Sequence, residues 1–391
     1  MVTTELNDRV LAELRSNDFS GYDPYDFLNS ILFKRTFLSK SYFARLAWIQ
    51  FGKLSPVNFR PLFLVPKKRN PKGIAIIILG LLEDYRRSGD KSYLADANEL
   101  AAWLQAQCCD RQEWKHACWG YHFDWQARAF FVPTGKPNII TTTYVARALF
   151  ELGELTSNEE MCYLALDSAR FISKFLYMES DNRCFFAYIP GETAFVHNAS
   201  LWGAAWCAFA GKKLGDECIV NQALSVARQS VSEQLADGSW VYGTRHHHNF
   251  IDGFHTGYNL EALCLLRDAI QTGEFDSCIS NGYSYYVRTF ISDDGVVKYY
   301  DNNVYPIDMH SFSQAILTLL KVGGKQDFVL CDRVVERAVQ LLFIPGKARF
   351  FYQKTRWIRN SINYTRWTQA WGYYSLAFFN RFRVEMENAQ D

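Results

Sequence analysis

Six times along the chain one design recurs: a short polar opening followed by an apolar helical run. The openings fall near Pro71 (PKGIAIIILGLLEDYRRSG), Asn138 (NIITTTYVARALFELG), His197 (HNASLWGAAWCAFAGKKLG), Asp252 (DGFHTGYNLEALCLLRDA), Asp308 (DMHSFSQAILTLLKVGG) and Arg366 (RWTQAWGYYSLAFFNRF), at spacings of 67, 59, 55, 56 and 58 residues. That period is too long for a two-helix solenoid repeat of about 34 residues. Between the runs lies a second kind of helix, at 93–107, 159–176, 217–235, 275–290 and 327–342, whose apolar positions recur at three and four, as in VVERAVQLLF. Such a pattern leaves one face in solvent, whereas a run apolar all round is enclosed. Each outer helix precedes a short aromatic segment (CWGYHFDW, DNRCFFAY, ADGSWVYG, DDGVVKYY, GKARFFYQ) that reads as a loop or two-strand ribbon.

Pairs of inner and outer helices repeated six times predict an all-α fold, an (α/α)6 toroid occupying residues 1–391 as a single domain. The sixth inner helix ends near the C-terminus without an outer partner. The N-terminal region, residues 1–72, is therefore expected to close the ring, with a helix around 41–51 as the partner. An extended linker should follow, because Pro56, Pro61, Pro66 and Pro71 stand at every fifth position.

A distributed ring also suits the length, since 391 residues exceed the roughly 250–300 that one hydrophobic core supports. With 49% hydrophobic and 16% aromatic residues, the chain can build that core and line a cavity as well. Its net charge of +1 gives no electrostatic reason to expect nucleic acid or an anionic membrane as partner. The N-terminal MVTTELNDRVLAEL has no apolar core of a secretory signal, and the run at 74–82 is far shorter than the roughly 18 residues of a membrane span. Ten cysteines without CxxC spacing read as reduced thiols, so a soluble cytoplasmic protein is expected.

In a ring of parallel inner helices, all the polar openings converge on one funnel. Asp252, His255 and Asn259 share one helical stripe at spacings of three and four. The funnel should further collect Asn138, His197, Asn198, Tyr258, Asp308, His310, Gln314, Arg366 and Gln369, with Trp119, Asp124, Trp125, Trp240 and Trp367 from the aromatic segments and Arg245 from a loop over the mouth. Asp252, His255, Asp308 and His197 are the expected catalytic set and the others the binding set. Two carboxylates from adjacent inner helices suit glycoside hydrolysis, the activity expected; proton abstraction beside a uronate carboxylate, as in a lyase or epimerase, is the alternative. Helix capping accounts for both aspartates equally well, and core filling for any one tryptophan. The HHH run at 246–248 lacks a partner at ligand spacing, so neither a metal nor a cofactor is expected.

The segments CWGYHFDWQAR, PNIITTTYVARAL, FIDGFHTGYNLEAL, YPIDMHSFSQAIL and RWTQAWGYYSLAFF resemble the VpsJ-like proteins of bacterial exopolysaccharide biosynthesis, within the six-hairpin toroids that act on carbohydrates. The resemblance runs from about Lys72 onward. It implies an oligosaccharide or polysaccharide ligand, lipid-linked ones included, association with polysaccharide assembly proteins, and relatives that are hydrolases, lyases or epimerases. A non-catalytic glycan-binding ring is the rival reading. Terpenoid cyclases share concentric helices but need an acidic DDxxD cluster, and Asp293 and Asp294 stand in a turn instead.

Overall fold

The inner helices begin where a side chain can satisfy their free amides. In the computed structural model, which describes residues 3–126, 131–180 and 182–388, Asn70, Asn138, Asp252 and Asp308 each accept a hydrogen bond from a first-turn backbone N–H. Numbering the helices of ten or more residues, α1 is Thr3–Ser16, α2 Tyr42–Leu54, α3 Pro71–Ser88, α4 Lys91–Ala106, α5 Ile139–Thr156, α6 Glu159–Phe175, α7 His197–Leu214, α8 Glu217–Ser232, α9 Gly253–Ile270, α10 Asp276–Phe290, α11 Met309–Thr318, α12 Phe328–Leu342 and α13 Ala370–Asn388. Pro71 stands at the first position of α3, where its missing N–H costs nothing, and Gly89 ends that helix at φ 71°.

Helices α3, α5, α7, α9, α11 and α13 pack each on the next, and α13 returns to α3. Every residue of α3 from Pro71 to Asp84 is buried, as expected of an enclosed helix. Close approach at the seam depends on Gly80, where a Cβ would lie 2.6 Å from the Tyr373 ring. Outside this ring α4, α6, α8, α10 and α12 cover their partners with one face each; in α12 that face is Cys331, Val334, Val335, Ala338 and Leu342. The (α/α)6 toroid expected from the repeat is the fold observed.

Its sixth outer helix differs from the expectation. Helix α1 packs on α13 through Leu6, Val10, Leu11 and Leu14, and Asn7 donates to Asp84, which also accepts from the Tyr373 hydroxyl at 2.9 Å. Helix α2, expected to fill that place, instead lies over the ring's mouth, with Trp48 stacked on Phe33 at 4.9 Å. The reason is visible in the side chains: α1 offers a continuous one-sided apolar stripe, whereas α2 leaves Phe43 79% and Leu54 74% exposed. The mouth segment is fixed by Arg60, fully buried and 2.7 Å from Asp26. A parallel bridge from Tyr22 to Tyr364 ties it to the last inner segment.

The aromatic segments are mostly short antiparallel ribbons. Trp125–Gln126 pairs with Phe131–Val132, Tyr177–Ser180 with Arg183–Phe186, and Phe343–Ile344 with Arg349–Phe350, while Ile307–Asp308, Gln353–Lys354 and Arg359–Asn360 form one three-stranded sheet. The segment around Trp240 is a loop. Ala127 and Arg128, which end the CWGYHFDWQAR motif, lie outside the described residues, as does Asp181.

Candidate functional site

The N-terminal ends of the inner helices surround a cavity of about 260 Å³. Asp252 is the only carboxylate in its wall among the described residues. One Asp252 oxygen caps α9 by accepting the His255 backbone N–H at 2.8 Å, and the other lies 2.6 Å from His255 Nδ1. That contact holds a proton on Nδ1 and leaves Nε2 as the basic nitrogen, on a ring seated 4.5 Å from Tyr242.

A second pair comes from the next inner helix. Burial, with the nearby charge of Arg366, holds His310 well below the usual imidazole range, so its ring is neutral. Burial likewise pushes the Tyr258 phenol well up. The protonated phenol therefore donates to His310 Nε2, at 2.5 Å. The imidazole is clamped between Trp371, 4.7 Å away and nearly parallel, and Phe254 at 4.9 Å. Through this pair a proton can pass from a ligand to the phenol oxygen while the phenol proton moves to the imidazole, and back again.

Around these pairs stand Trp125 and Trp367, Tyr25, Tyr121, Tyr188, Tyr242, Tyr299 and Tyr300, and Asn198, whose buried Oδ1 has no partner among the described residues. Aromatic faces rimmed by hydroxyls are the surface a sugar ring uses, with its C–H face stacked and its hydroxyls hydrogen-bonded. Arg366 opens the sixth inner segment in a π-helical turn, Thr365–Gln369, and grips Asp23 through two nitrogens at 2.5 and 2.8 Å. Lys72 and Lys53 also reach the wall.

Of the residues expected in the funnel, Asp252, His255, His310, Tyr258, Asn198, Arg366, Trp367 and Trp125 therefore meet there. The rest lie outside the lining. Asp308 is wholly buried behind it, accepting from the His310 and Ser311 amides and from Gln353 Nε2 at 2.8 Å; burial raises its carboxyl to about 6. His197 packs on Phe195 at 4.6 Å, away from the cavity, with burial lowering it to about 4. Trp119 and Trp240 are core residues whose indole N–H groups donate to the Leu104 and Ser230 carbonyls. Asn138 caps α5. Gln369 bonds both backbone groups of Phe350, and Gln314 joins Glu261 and Thr318. Asn259 is buried in α9. Arg245 pairs with Glu192 at 2.5 Å, and Asp124 with Lys34 at 3.0 Å and Thr134. The three histidines form a short turn, His246–His248, and among the described residues no His, Cys, Asp and Glu cluster has a metal-binding arrangement.

Sequence reasoning missed Lys72, Tyr25, Tyr242, Tyr299 and Tyr300. A signal was available for the tyrosines, since Tyr242, Tyr299 and Tyr300 occupy the aromatic segments directly before the fourth and fifth inner openings.

No known family profile matches the chain, and no curated protein matches its sequence. Solved structures do share its fold. An unsaturated glucuronyl hydrolase specific for heparin superposes with a TM-score of 0.65 at 11% identity, covering 98% of this chain and 96% of that one. A cellobiose 2-epimerase from Bacillus thermoamylovorans gives 0.62 at 13% identity, covering 81% and 88%. A GH76 α-mannanase from Bacteroides thetaiotaomicron gives 0.61 at 14%, covering 81% and 87%. The likeness shows the fold, an (α/α)6 toroid that these solved hydrolases and this epimerase share. Among the described residues no helix is long and apolar enough to cross a membrane.

Proposed function

We propose that the protein is a carbohydrate-processing enzyme that moves a proton at a sugar carbon next to a carbonyl, as an epimerase or isomerase does. The observation that carries this reading is the meeting of two proton-relay pairs, Asp252 with His255 and Tyr258 with His310, in one aromatic cavity. One pair takes the proton and the other returns it; relays of this kind contribute about 10²- to 10⁴-fold each. The cellobiose 2-epimerase that shares the fold gives the reaction class a precedent on this scaffold.

Glycoside hydrolysis is the second reading, favoured by the carboxylate of Asp252 at the cavity wall. Hydrolysis by paired aspartates would need a second acid there, and Asp308 is engaged behind the wall. The setting we propose is bacterial exopolysaccharide biosynthesis, in keeping with the VpsJ-like segments. The substrate would then be a free or lipid-linked oligosaccharide handled in the cytoplasm beside the assembly proteins.

Products separate the readings. Reducing oligosaccharides incubated with the protein in D₂O would gain carbon-bound deuterium by proton transfer, new reducing ends by hydrolysis, or an ultraviolet-absorbing double bond by elimination. Binding with none of the three would make the ring a glycan-binding module.

A further inference from the structure

Lys72 and Lys321 both reach into the interior of the ring, and they differ in one respect. Lys321 is paired with Glu261, which also meets Arg147 and Gln314, as a buried ammonium requires. Lys72, 4% exposed, has no carboxylate within ion-pair reach among the described residues and makes no hydrogen bond. Its Nζ stands 4.7 Å from the Tyr144 ring centre, 5.6 Å from Tyr258 and 5.5 Å from Trp371, and the side chain forms part of the cavity wall. Arg366, whose positive charge acts on it, already has its counter-ion in Asp23.

An ammonium there would have three aromatic faces but no anion beside it among the described residues. A resting amine that is neutral and accessible to a ligand suits the place better, because desolvation and a neighbouring cation are the two conditions that free its lone pair. Burial, with the charge of Arg366, holds Lys72 well below the usual lysine range.

We propose that Lys72 is a nucleophile that forms an imine with the open-chain aldehyde of the sugar in the cavity. The inference rests on the proton-transfer reading above and adds to it the means of activating the carbon. The Nζ lone pair attacks the carbonyl carbon, whose oxygen takes up a proton. The resulting carbinolamine loses that oxygen as water, so that amine and aldehyde become imine and water. Protonated, the imine draws electrons from the adjacent C–H bond, and its proton leaves to the base while the electron pair forms an enamine. Return of a proton to the carbon, on either face, followed by hydrolysis with one water, releases the aldehyde and the amine. No oxidant or reductant enters. The three aromatic faces around Nζ stabilise the positive iminium, and Tyr258, which touches both Lys72 and His310, is placed to exchange the protons of the dehydration.

The full-length protein is incubated with glycolaldehyde or D-glucose and sodium cyanoborohydride, which fixes imines as secondary amines, and the lysines are mapped by peptide mass spectrometry. Lys72 is expected to be modified about tenfold or more faster than the exposed Lys91 and Lys325. Lys72→Arg, which keeps a long basic side chain but has no free amine, should lose the adduct and at least about tenfold of the deuterium exchange. Modification of Lys72 no faster than of Lys91, with exchange intact in Lys72→Met, overturns the imine and leaves the proton-transfer reading standing. Selective trapping at Lys72 without exchange in the wild type upholds the aldehyde-reactive amine and overturns that reading instead.

Discussion

The Asp252 carboxylate holds His255 twice, by its backbone N–H at 2.8 Å and by its ring Nδ1 at 2.6 Å. One side chain thus starts α9 and fixes the tautomer of the imidazole that faces the cavity. The two roles separate in Asp252→Asn. Asparagine caps a helix about as well as aspartate, so the melting temperature should change little. The amide cannot support a positive imidazolium, so deuterium exchange should fall by about 10²- to 10⁴-fold. Equal exchange in the variant and the wild type would reduce Asp252 to a cap.

Tyr258→Phe removes the hydroxyl that donates to His310 Nε2 and leaves a buried nitrogen without a partner. A loss of about 1–3 kcal/mol in stability is expected from that orphaned acceptor. Exchange should drop more steeply than stability explains, read as turnover on protein shown folded by circular dichroism at the assay temperature.

These residues show where the sequence is legible and where it is not. The six openings and the two aspartate caps follow from residue type and spacing alone, because a cap is a local demand of the helix itself. Lys72 is invisible at that level: its distinction is the absence of a carboxylate among residues brought near by the ring, a fact no local pattern holds. Trp119 and Trp240 show the converse failure. In a turn sequence they look like Trp125, and only packing decides that two indoles fill the core while one faces the cavity. The closing helix was misplaced for a similar reason, since the stripe Leu6, Val10, Leu11 and Leu14 is diluted by charged neighbours, whereas the 41–51 segment is richer in aromatics that serve the mouth.

Asp308 should leave its mark on the pH dependence of stability. Its carboxyl is raised to about 6 by burial, above the usual aspartate value near 3.9. Between roughly pH 4 and 6 the folded state therefore holds more protons than the unfolded state, and this residue's contribution falls as pH rises through that window. The loss is on the order of 2–3 kcal/mol. Asp308→Asn keeps the cap and removes the titration. Chemical denaturation at pH 4 and pH 7 should show the variant gaining on the wild type at the higher pH; parallel curves would exclude the shift.

Ring closure by α1 predicts a contrast between two truncations of large apolar side chains. Leu11→Ala, at a position 1% exposed against α13, should cost about 2–5 kcal/mol. Phe43→Ser on α2, 79% exposed, should stay within about 0.5 kcal/mol. Urea unfolding of the two variants measures both, and a larger loss at Phe43 would return the closing role to α2.

The proposed reaction requires that the cavity exchange a carbon-bound proton. Proton NMR of a reducing disaccharide, in D₂O with the wild-type protein and with His255→Asn, follows the hydrogen next to the carbonyl. This signal is expected to disappear with the wild type, and its loss to slow by about 10²-fold or more with His255→Asn. A signal that persists while new reducing ends accumulate would contradict the proposed reaction and assign the cavity to hydrolysis.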